Sequence, residues 1–374
     1  MKLALCIFKY FPYGGMQRDF LRVAFLLAKQ HSVEVFTTTW EGEIPANLSV
    51  SIVAVSGLTN HRQMQHFAKK ALKQAKELNC ELIVGFNKMP GLDIYFAADN
   101  CYVTAAKEKH GLFYRLTPRY RMYKTLEKSV FSSNRNTKIL ALAEQQKKAY
   151  QHIYQTAEEQ FYLLPAEFNR LNHSVADKAL VQKIRLAHCI KSTDDIVLMV
   201  CSAFKTKGVD RALKAFSQLH RELLVKTHLL IIGDDKSEPF SGLAKQLRID
   251  TRVQFLGAKK NVLDYMCAAD LFLHPARQEA AGKVILEAMS CGLPVLTTEE
   301  CGYAEHVMKA DAGILLSQKN VDRLLPETLS GMLMDAAKRT TWRKQAFDYV
   351  ANYPVADLAA SAVEVIQNAN DQNR

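Results

Sequence analysis

The sequence predicts an α/β protein with two Rossmann-like domains, and three observations lead to this prediction. An apolar strand at residues 2–8 is followed by a glycine-containing loop and an amphipathic helix over 16–29. A second apolar strand at 196–202 is again followed by a loop and a helix, so the same pattern begins twice. The length of 374 residues is sufficient for about two domains, each with its own core.

Strand and helix patterns alternate between and after these two starting points. A basic helix is predicted over 63–78. Short apolar runs predict the remaining strands at 33–38, 50–55, 82–86, 94–98, 228–233, 253–257, 271–274 and 294–297. Such alternation is typical of parallel sheets with helical crossovers.

Composition narrows the class of protein. The chain is 48% hydrophobic and 23% charged, as in ordinary globular proteins, and no apolar run approaches the roughly 18 residues of a membrane span. The apolar run at 3–8 is too short for a convincing signal peptide and reads as a buried strand. Eight scattered cysteines without a Cys-x-x-Cys pair indicate reduced thiols and a cytoplasmic location.

The charge balance points to an anionic partner. Lys and Arg exceed Asp and Glu by 11, and the pI is about 9.1. Nucleic acid, an anionic membrane and a phosphorylated substrate all fit such a balance, and composition does not choose among them.

One stretch of the second half places acidic side chains around a tight turn. The strand at 271–274 leads through small residues and Gly282 into a helix predicted over 283–290. The turn amides and the positive end of the helix can meet an anion. Glu279 is predicted in this turn and Glu287 one to two turns inside the helix. If helical geometry held throughout, the two would lie roughly 80° apart on one broad face. This arrangement suits a ligand with hydroxyl groups flanking a phosphate, such as a nucleotide sugar.

The spacing of Glu279 and Glu287, followed by CGLPV at 291–295, resembles the signature of the retaining glycosyltransferases of family 4, which have the GT-B fold. A closer likeness, to the lipopolysaccharide core glucosyltransferase I group of Gram-negative bacteria, runs through most of the chain. It is carried by segments of both halves: 9–20 (KYFPYGGMQRDF), 85–93 (GFNKMPGLD), 114–121 (YRLTPRYR), 207–211 (KGVDR) and 301–304 (CGYA).

This resemblance implies a domain organisation. Residues 1–165 form an acceptor-binding Rossmann-like domain and 166–352 a nucleotide-sugar-binding Rossmann-like domain, with a central cleft between them. Residues 353–374 form a C-terminal helix that crosses back to the first domain.

The resemblance also implies how the donor is held. Glu287 accepts hydrogen bonds from the ribose hydroxyls, and Glu279 holds hydroxyls of the sugar. The amides of Ala280, Ala281 and Gly282 support the sugar and its phosphate. The family retains the anomeric configuration, by front-face attack in which a phosphate oxygen of the leaving group takes the acceptor proton, so no side-chain nucleophile is predicted.

Two departures from the family pattern affect this site. The family commonly binds the diphosphate with an arginine and a lysine. Lys207 matches the lysine, but Ser202 stands at the position of the arginine. Lys205 is therefore a candidate for the second cation. The family's Asn-Gly pair near the crossover is Ala-Glu at 166–167, which leaves any donor contact of that loop open. Adjacent aspartates at 234–235 are not the spaced Asp-x-Asp motif, and no essential metal is predicted.

In the first half, the predicted site residues follow strands. Gly14 and Gly15 lie after the first strand, where a backbone without Cβ can approach a ligand, and the family's equivalent loop faces the sugar and diphosphate. Asp19 is either close to a substrate hydroxyl or a charge favoured near a helix start. Asp99 ends a parallel strand, where ligands bind in open α/β sheets, and either orients the acceptor or is a turn residue. We include Asp19 and Asp99 with Glu279 in the predicted catalytic set, together with Lys207.

The segment 103–128 differs in kind, because cations and aromatic side chains interleave with a local charge of +5. Its aromatic residues are Phe113, Tyr114, Tyr120 and Tyr123. Its cations are Lys107, Lys109, Arg115, Arg119, Arg121, Lys124 and Lys128. Such a mixture is typical of a surface that rests on an anionic membrane, and a solvated helical face with some core aromatics is the alternative. Nothing in it resembles an RNA-binding module.

Together these patterns predict a retaining, metal-independent glycosyltransferase that moves glucose from UDP-glucose to an inner-core heptose of lipopolysaccharide. No cofactor is expected beyond the nucleotide-sugar co-substrate, and no nucleic-acid partner. The predicted location is the cytoplasmic face of the inner membrane, as a peripheral protein. The alternatives are another donor, such as a UDP-hexosamine or GDP-mannose, and a non-catalytic protein that binds the membrane surface.

Overall fold

The structure is a computed structural model that describes residues 1–12, 14–109, 111–170 and 178–371. It divides into two units, one made of Met1–Ala166 with Ala356–Arg374 and the other of Glu167–Val355. The division along the chain falls after Ala166 and again after Val355. The sequence predicted domain limits at 165/166 and 352/353.

The first unit contains one parallel sheet. Its strands, as far as the structure describes the chain, are β1 (Lys2–Cys6), β2 (Ser32–Thr37), β3 (Ser49–Ile52), β4 (Leu82–Gly85), β5 (Ile94–Ala97), β6 (Lys138–Ala141) and β7 (Phe161–Leu163). They lie in the order β3-β2-β1-β4-β5-β6-β7, and all pairs are parallel. Strands β4 and β5 are wholly buried, which explains why they read as continuous apolar runs rather than alternating ones.

Helices cover this sheet. Within the described ranges they are α1 (Gly15–Ala28), α2 (Asn60–Glu77), α3 (Tyr102–Lys109), α4 (Pro118–Phe131) and α5 (Glu144–Tyr154), with short 3-10 helices at Leu112–Leu116 and Glu158–Gln160. The Thr117 hydroxyl accepts a hydrogen bond from the Tyr120 amide, and Pro118 stands at the first helical position, so α4 has a capped start.

The second unit is built in the same way. Its described strands are β8 (Asp195–Val200), β9 (Thr227–Ile232), β10 (Val253–Phe255), β11 (Leu271–His274), β12 (Val295–Thr298) and β13 (Gly313–Leu316). They form a parallel sheet in the order β10-β9-β8-β11-β12-β13. This is the doubly wound Rossmann order, in which the direction of winding reverses between β8 and β11.

The helices of the second unit flank this sheet. In the part of the chain that the structure describes they are α6 (Lys178–Ala187), α7 (Val209–Ser217), α8 (Arg221–Leu224), α9 (Glu238–Gln246), α10 (Val262–Ala268), α11 (Lys283–Ser290), α12 (Ala304–Ala310), α13 (Val321–Met334) and α14 (Ala336–Asn352), with a 3-10 helix at Asp250–Arg252. Predicted and observed bounds agree for β11 and α11, the two elements that flank the acidic turn.

The last helix, α15 (Leu358–Asp371), belongs to the first unit and packs on α1. Arg22 forms an ion pair with Asp357 at 3.0 Å, and the Gln367 amide donates to Gln30 Oε1 at 3.1 Å. The chain therefore ends on the unit in which it begins. Among the described residues, no helix combines the length and the apolarity needed to cross a bilayer.

Candidate functional site

The candidate site of the second unit lies where the sheet reverses its winding. The loops that follow β8 and β11 leave neighbouring strands at the carboxyl edge of the sheet, and the loop after β12 lies beside them. In open α/β sheets this switch point is the usual place for a ligand. The topology therefore brings together the sequence-predicted residues Lys207 and Glu279, which are 72 positions apart.

A glycine allows the first two loops to touch. Gly208 has a φ of +78°, and a Cβ at this position would lie 2.1 Å from the carbonyl oxygen of Pro275, so only glycine fits. The loops are also joined by hydrogen bonds, since the Arg277 amide donates to the Thr206 carbonyl at 2.8 Å and Lys207 Nζ to the Gln278 carbonyl at 3.1 Å. Lys207 is thus held by the loop that carries Glu279.

Lys207 and Glu279 form an ion pair, with 2.7 Å between Nζ and Oε2. Their side chains remain 16% and 19% exposed, so a ligand can reach the pair. Burial alone would raise the pKa of Glu279, but His274 and Lys207 outweigh it and lower that pKa to about 2. Glu279 is therefore a carboxylate throughout the physiological range, able to accept hydrogen bonds from hydroxyl groups.

His274 completes this cluster, although it was not among the residues predicted from the sequence. It is the last residue of β11, it is fully buried, and its Nε2 lies 3.5 Å from Glu279 Oε2. Burial lowers its pKa, but the side chain of Cys301 and the Glu279 carboxylate raise it to about 9. A histidine at the carboxyl end of a buried parallel strand was the signal that could have found it.

Glu279 lies in the turn before α11, as predicted, and because this turn is not helical the separation of roughly 80° that continuous helical geometry would give Glu279 and Glu287 does not apply. Gly282 has a φ of +91° and starts the helix only after the turn, while Glu279 forms a parallel bridge with Cys301. The carbonyls of the turn are engaged, since Glu279 accepts from the Gly302 amide at 3.1 Å and Ala281 from the Tyr303 amide at 2.7 Å.

The opposite face of this turn offers donors. In the part of the chain that the structure describes, the amides of Ala280, Ala281 and Gly282 form no backbone hydrogen bond. They lie at the amino end of α11, which carries the positive end of the helix dipole. Their predicted support of a phosphate or sugar remains a prediction that this geometry permits.

Glu287 lies inside α11 and has a neutral partner. The Asn169 side chain donates to Glu287 Oε1 at 2.8 Å, and the Asn169 amide lies 3.4 Å from the same oxygen. The Ala-Glu pair that replaces the family's Asn-Gly stands just before this asparagine, so an amide still reaches the helix from the crossover segment. This contact was not predicted, because nothing in the sequence places residue 169 beside residue 287.

Lys205, the predicted second cation, is engaged by an aspartate. Its Nζ lies 2.7 Å from Asp210 Oδ2, and its side chain is 72% exposed. Arg277 makes a bidentate pair with the same carboxylate, at 2.8 and 3.0 Å. Burial raises the pKa of Asp210, but Arg277 and Lys205 together lower it. Two cations therefore share one acid at the rim of the loop, and the diphosphate role of Lys205 stays a prediction.

In the first unit, the predicted residues have different surroundings. Gly14 precedes α1, and a Cβ there would meet the Gln17 side chain, whereas a Cβ on Gly15 would meet no described atom within 4 Å. Asp19 is only 5% exposed, which favours a contact inside the protein over reach to a substrate hydroxyl. Asp99 is exposed, and its carbonyl is fixed by Gln146 Nε2 at 2.7 Å and the Tyr150 hydroxyl at 2.9 Å. Of the two aspartates, only Asp99 has a side chain open to an acceptor.

The predicted basic aromatic segment folds into α3, a 3-10 helix and α4, and its cations face outward. Lys107, Arg115, Arg119, Arg121, Lys124 and Lys128 are all exposed, while the side chain of Lys109 lies outside the described residues. Phe113 and Leu116 are 86% and 64% exposed, so apolar groups accompany the charges.

The predicted role of the tyrosines in this surface is partly wrong. Tyr120 is buried and packs against Tyr102 and Tyr114, and Tyr102 also packs against Tyr123. These rings form a small aromatic core under the segment because their hydroxyls and ring faces find partners there, as in the 2.9 Å hydrogen bond between Tyr102 and Tyr114. The outward apolar groups are therefore Phe113 and Leu116.

A buried carboxylate ties this segment to the sheet. Glu127 of α4 is fully buried and lies 2.8 Å from Lys88 Nζ in the loop after β4. It also accepts hydrogen bonds from the amides of Tyr102 and Val103 at the start of α3, at 2.7 and 3.1 Å, and from the Tyr154 hydroxyl at 2.8 Å. Glu127 thus fixes both α3 and α4, although in the sequence it is only one of two acidic residues in the basic segment 103–128.

The comparisons with known proteins place the chain in a family. The model of the group 1 glycosyl transferases matches residues 181–348. Over 375 aligned residues the chain is 38% identical to the lipopolysaccharide glucosyltransferase WaaG of Escherichia coli K12, which covers 99% of this chain and 100% of that protein. The crystal structure of WaaG, a glycosyltransferase involved in lipopolysaccharide biosynthesis, superposes with a TM-score of 0.87, covering 97% of this chain and 99% of that one.

More distant relatives share less. An N-acetyl-alpha-D-glucosaminyl L-malate synthase of Bacillus anthracis is 31% identical over 40% of this chain and 39% of its own length. Sucrose-phosphate synthase from Thermosynechococcus elongatus is 18% identical, with a TM-score of 0.73 over 100% of this chain and 99% of its own, which shows a common fold only.

The fold and the site thus define a GT-B glycosyltransferase, with two Rossmann-like domains. The chain belongs to the group 1 glycosyltransferases and is similar over its whole length to a lipopolysaccharide glucosyltransferase. The predicted family and fold class are confirmed.

Proposed function

We propose that this enzyme transfers glucose from UDP-glucose to an inner-core heptose of lipopolysaccharide, with retention of configuration and without an essential metal or cofactor. The observation that carries the proposal is the partly exposed Lys207–Glu279 pair at the switch point of the second sheet, beside turn amides that donate no backbone hydrogen bond among the described residues. The whole-length likeness to a lipopolysaccharide glucosyltransferase supports the choice of sugar and acceptor.

The proposed roles of the site residues follow from their charge. Glu279, ionised at neutral pH, accepts hydrogen bonds from sugar hydroxyls, and Glu287 accepts them from the ribose. Lys207 and the amides of the turn compensate the negative charge that grows on UDP as the glycosidic bond breaks. Preorganised donors of this kind act most strongly where charge develops in the transition state.

We propose further that the basic segment rests on an anionic membrane, where a lipid-linked acceptor would be found. Exposed cations gain about 1 kcal/mol each near an anionic surface, and Phe113 and Leu116 supply apolar groups for the interface. Co-sedimentation with vesicles tests this directly: binding should rise with the content of anionic lipid and fall with added salt. Binding that depends neither on anionic lipid nor on salt would contradict the proposed membrane contact.

A transfer assay tests the reaction. UDP-glucose labelled in the sugar is incubated with lipopolysaccharide whose core ends in heptose, and label is expected in the lipopolysaccharide, equally in the presence of EDTA. Lipopolysaccharide that lacks heptose is the matched control and should remain unlabelled. Transfer from GDP-mannose or a UDP-hexosamine instead of UDP-glucose would contradict the proposed donor, and transfer that requires a metal would contradict the proposed metal independence.

A further inference from the structure

The histidine beneath the donor turn is unusual among the buried histidines of the second unit. Both ring nitrogens of His274 are buried and have no aligned hydrogen-bond partner among the described residues. A buried polar group in this condition costs free energy unless another interaction compensates it. Two groups beside the ring compensate it, namely the side chain of Cys301 and the Glu279 carboxylate, whose Oε2 lies 3.5 Å from Nε2.

Two other buried histidines have ordinary structural roles. His306 shares a hydrogen bond of 2.8 Å with the Tyr349 hydroxyl, and burial lowers its pKa to about 4. His228 lies 3.1 Å from Asp194, and burial again lowers its pKa. His274 is buried as completely, yet its surroundings favour the charged ring.

The groups around His274 define its electrostatic role. The Phe272 ring lies parallel to the imidazole at 6.0 Å, Cys301 approaches from the segment after β12, and Glu279 approaches from the turn before α11. Lys207, from the loop after β8, contacts the same oxygen of Glu279 as His274 does. With His274 protonated, this cluster has two cations and one anion, whereas a neutral ring would leave Lys207 and Glu279 to cancel each other.

We propose that His274 is a positioning residue of the donor site, whose buried cationic ring holds Glu279 in place and leaves Lys207 with unbalanced positive charge for the diphosphate of the nucleotide sugar. This rests on the proposed function in so far as the ligand is a nucleotide sugar. The His274 ring thereby provides, from the protein interior, the second positive charge that the family has at the position of Ser202. It does so without contacting the ligand.

The sign of the pH dependence follows from the raised pKa. His274 carries its charge below about pH 9 and loses it as the pH rises through that value. Glu279 stays ionised over the same range because its pKa is about 2. The cluster therefore keeps its net positive charge at neutral pH and becomes neutral above about pH 9, so affinity for a diphosphate is expected to fall there.

The test measures the dissociation constant of UDP for the wild type and for His274→Asn between pH 7.5 and 10.5. Uracil also deprotonates in this range, so the informative quantity is the ratio of the two constants, in which that effect cancels. A ratio of about ten is expected at pH 7.5, for the loss of one charge several ångströms from the ligand, decreasing towards one above pH 9. A ratio near one at pH 7.5, or one that does not change with pH, would overturn the proposal.

His228→Asn is the matched control, because it removes a buried histidine beside a carboxylate at the amino end of β9, at the opposite edge of the sheet. It should bind UDP as the wild type does. GDP and ADP are measured in parallel: a protein that prefers GDP would contradict the proposed donor and still report on His274. Failure of all three to bind the wild type would overturn both proposals.

A second measurement applies even where His274→Asn does not fold. In protein labelled with ¹³C at histidine Cε1, one resonance is expected to titrate near pH 9, and its pKa should fall when Glu279→Gln removes the neighbouring charge. His228→Asn should leave this resonance unchanged. The absence of any histidine that titrates above pH 8 in the wild type would refute the proposal.

Discussion

Two lysine–glutamate pairs, one in each unit, have nearly the same length and opposite surroundings. Lys88 and Glu127 in the first unit are 2.8 Å apart, and Lys207 and Glu279 in the second are 2.7 Å apart. Glu127 is wholly buried, whereas 19% of the Glu279 side chain is exposed. Lys88 follows β4 and Lys207 follows β8, so each lysine comes after one of the two strands between which the winding of its sheet reverses.

The two acids differ in how their oxygens are used. Glu127 accepts from Lys88, two backbone amides and the Tyr154 hydroxyl, through both oxygens. The two ion-pair contacts of Glu279, with Lys207 and His274, are both made through Oε2, and its side chain stays 19% exposed. A fully satisfied buried carboxylate has no capacity left for a ligand, whereas a carboxylate that is partly exposed can still accept hydrogen bonds. Hence the first pair holds helices together and the second can hold a substrate.

The largest expected effect is on the stability of the first unit. Lys88→Met keeps the length of the side chain and removes its charge, which leaves Glu127 buried and uncompensated. Breaking a buried pair in this way costs about 3–5 kcal/mol of unfolding free energy. Urea unfolding of the first unit, monitored by the fluorescence of Trp40 in a Trp342→Phe background, measures it, since these are the two tryptophans of the chain.

The matched control is the second unit in the same Lys88→Met protein. Its unfolding, monitored by Trp342 in a Trp40→Phe background, should be unchanged because Trp342 is buried in the core of that unit. A loss of stability below about 1 kcal/mol in the first unit would show that Glu127 does not depend on Lys88 for its charge.

For Lys207→Met we expect a large loss of activity and only a small change in stability. Turnover should fall by roughly 10²–10³-fold, the usual consequence of removing one preorganised donor from a developing anion. The midpoint of thermal unfolding should change little, because Glu279 is partly exposed and keeps His274 beside it when Lys207 is removed. Steady-state kinetics with UDP-glucose, together with the melting curve, separate the two quantities.

Lys214→Met provides the comparison for this variant, since Lys214 is an exposed cation one to two turns along the helix that follows Lys207. It should keep normal turnover. If Lys207→Met also kept near-normal turnover, the assignment of this pair to the donor would be wrong.

The fold was predictable because its signals are local. Buried parallel strands read as apolar runs of four to six residues, and the glycine-containing turns between strand and helix are visible in the sequence. The beginning of α11 is an instructive exception. The helix bounds and the place of Glu279 in the turn before the helix were predicted correctly, but the bridge between Glu279 and Cys301 joins two segments that no local signal connects.

The site residues could be predicted where a sequence motif identifies them, but not where only the packing of the folded chain brings them together. Glu279 was found from its spacing to Glu287, and Lys207 from the resemblance to the family. Asn169 and Lys88 act through partners that are 118 and 39 positions away in the sequence, and no motif marks His274 although it lies close to Glu279 along the chain. The segment 103–128 shows the same limit. Its composition predicted exposed cations, which the structure bears out, but composition could not tell that Tyr120 packs inward while Phe113 points outward.

The smallest effect comes from Tyr154→Phe, which removes one neutral donor from Glu127 and leaves its charge paired with Lys88. The lost hydrogen bond to a carboxylate should cost about 1.5 kcal/mol of the unfolding free energy of the first unit, less than half the loss in Lys88→Met. The same Trp40 fluorescence assay measures both variants. Equal losses would mean that the number of hydrogen-bond donors, rather than compensation of charge, keeps Glu127 in place. The contrast between Glu127 and Glu279 would then depend only on how exposed the two carboxylates are.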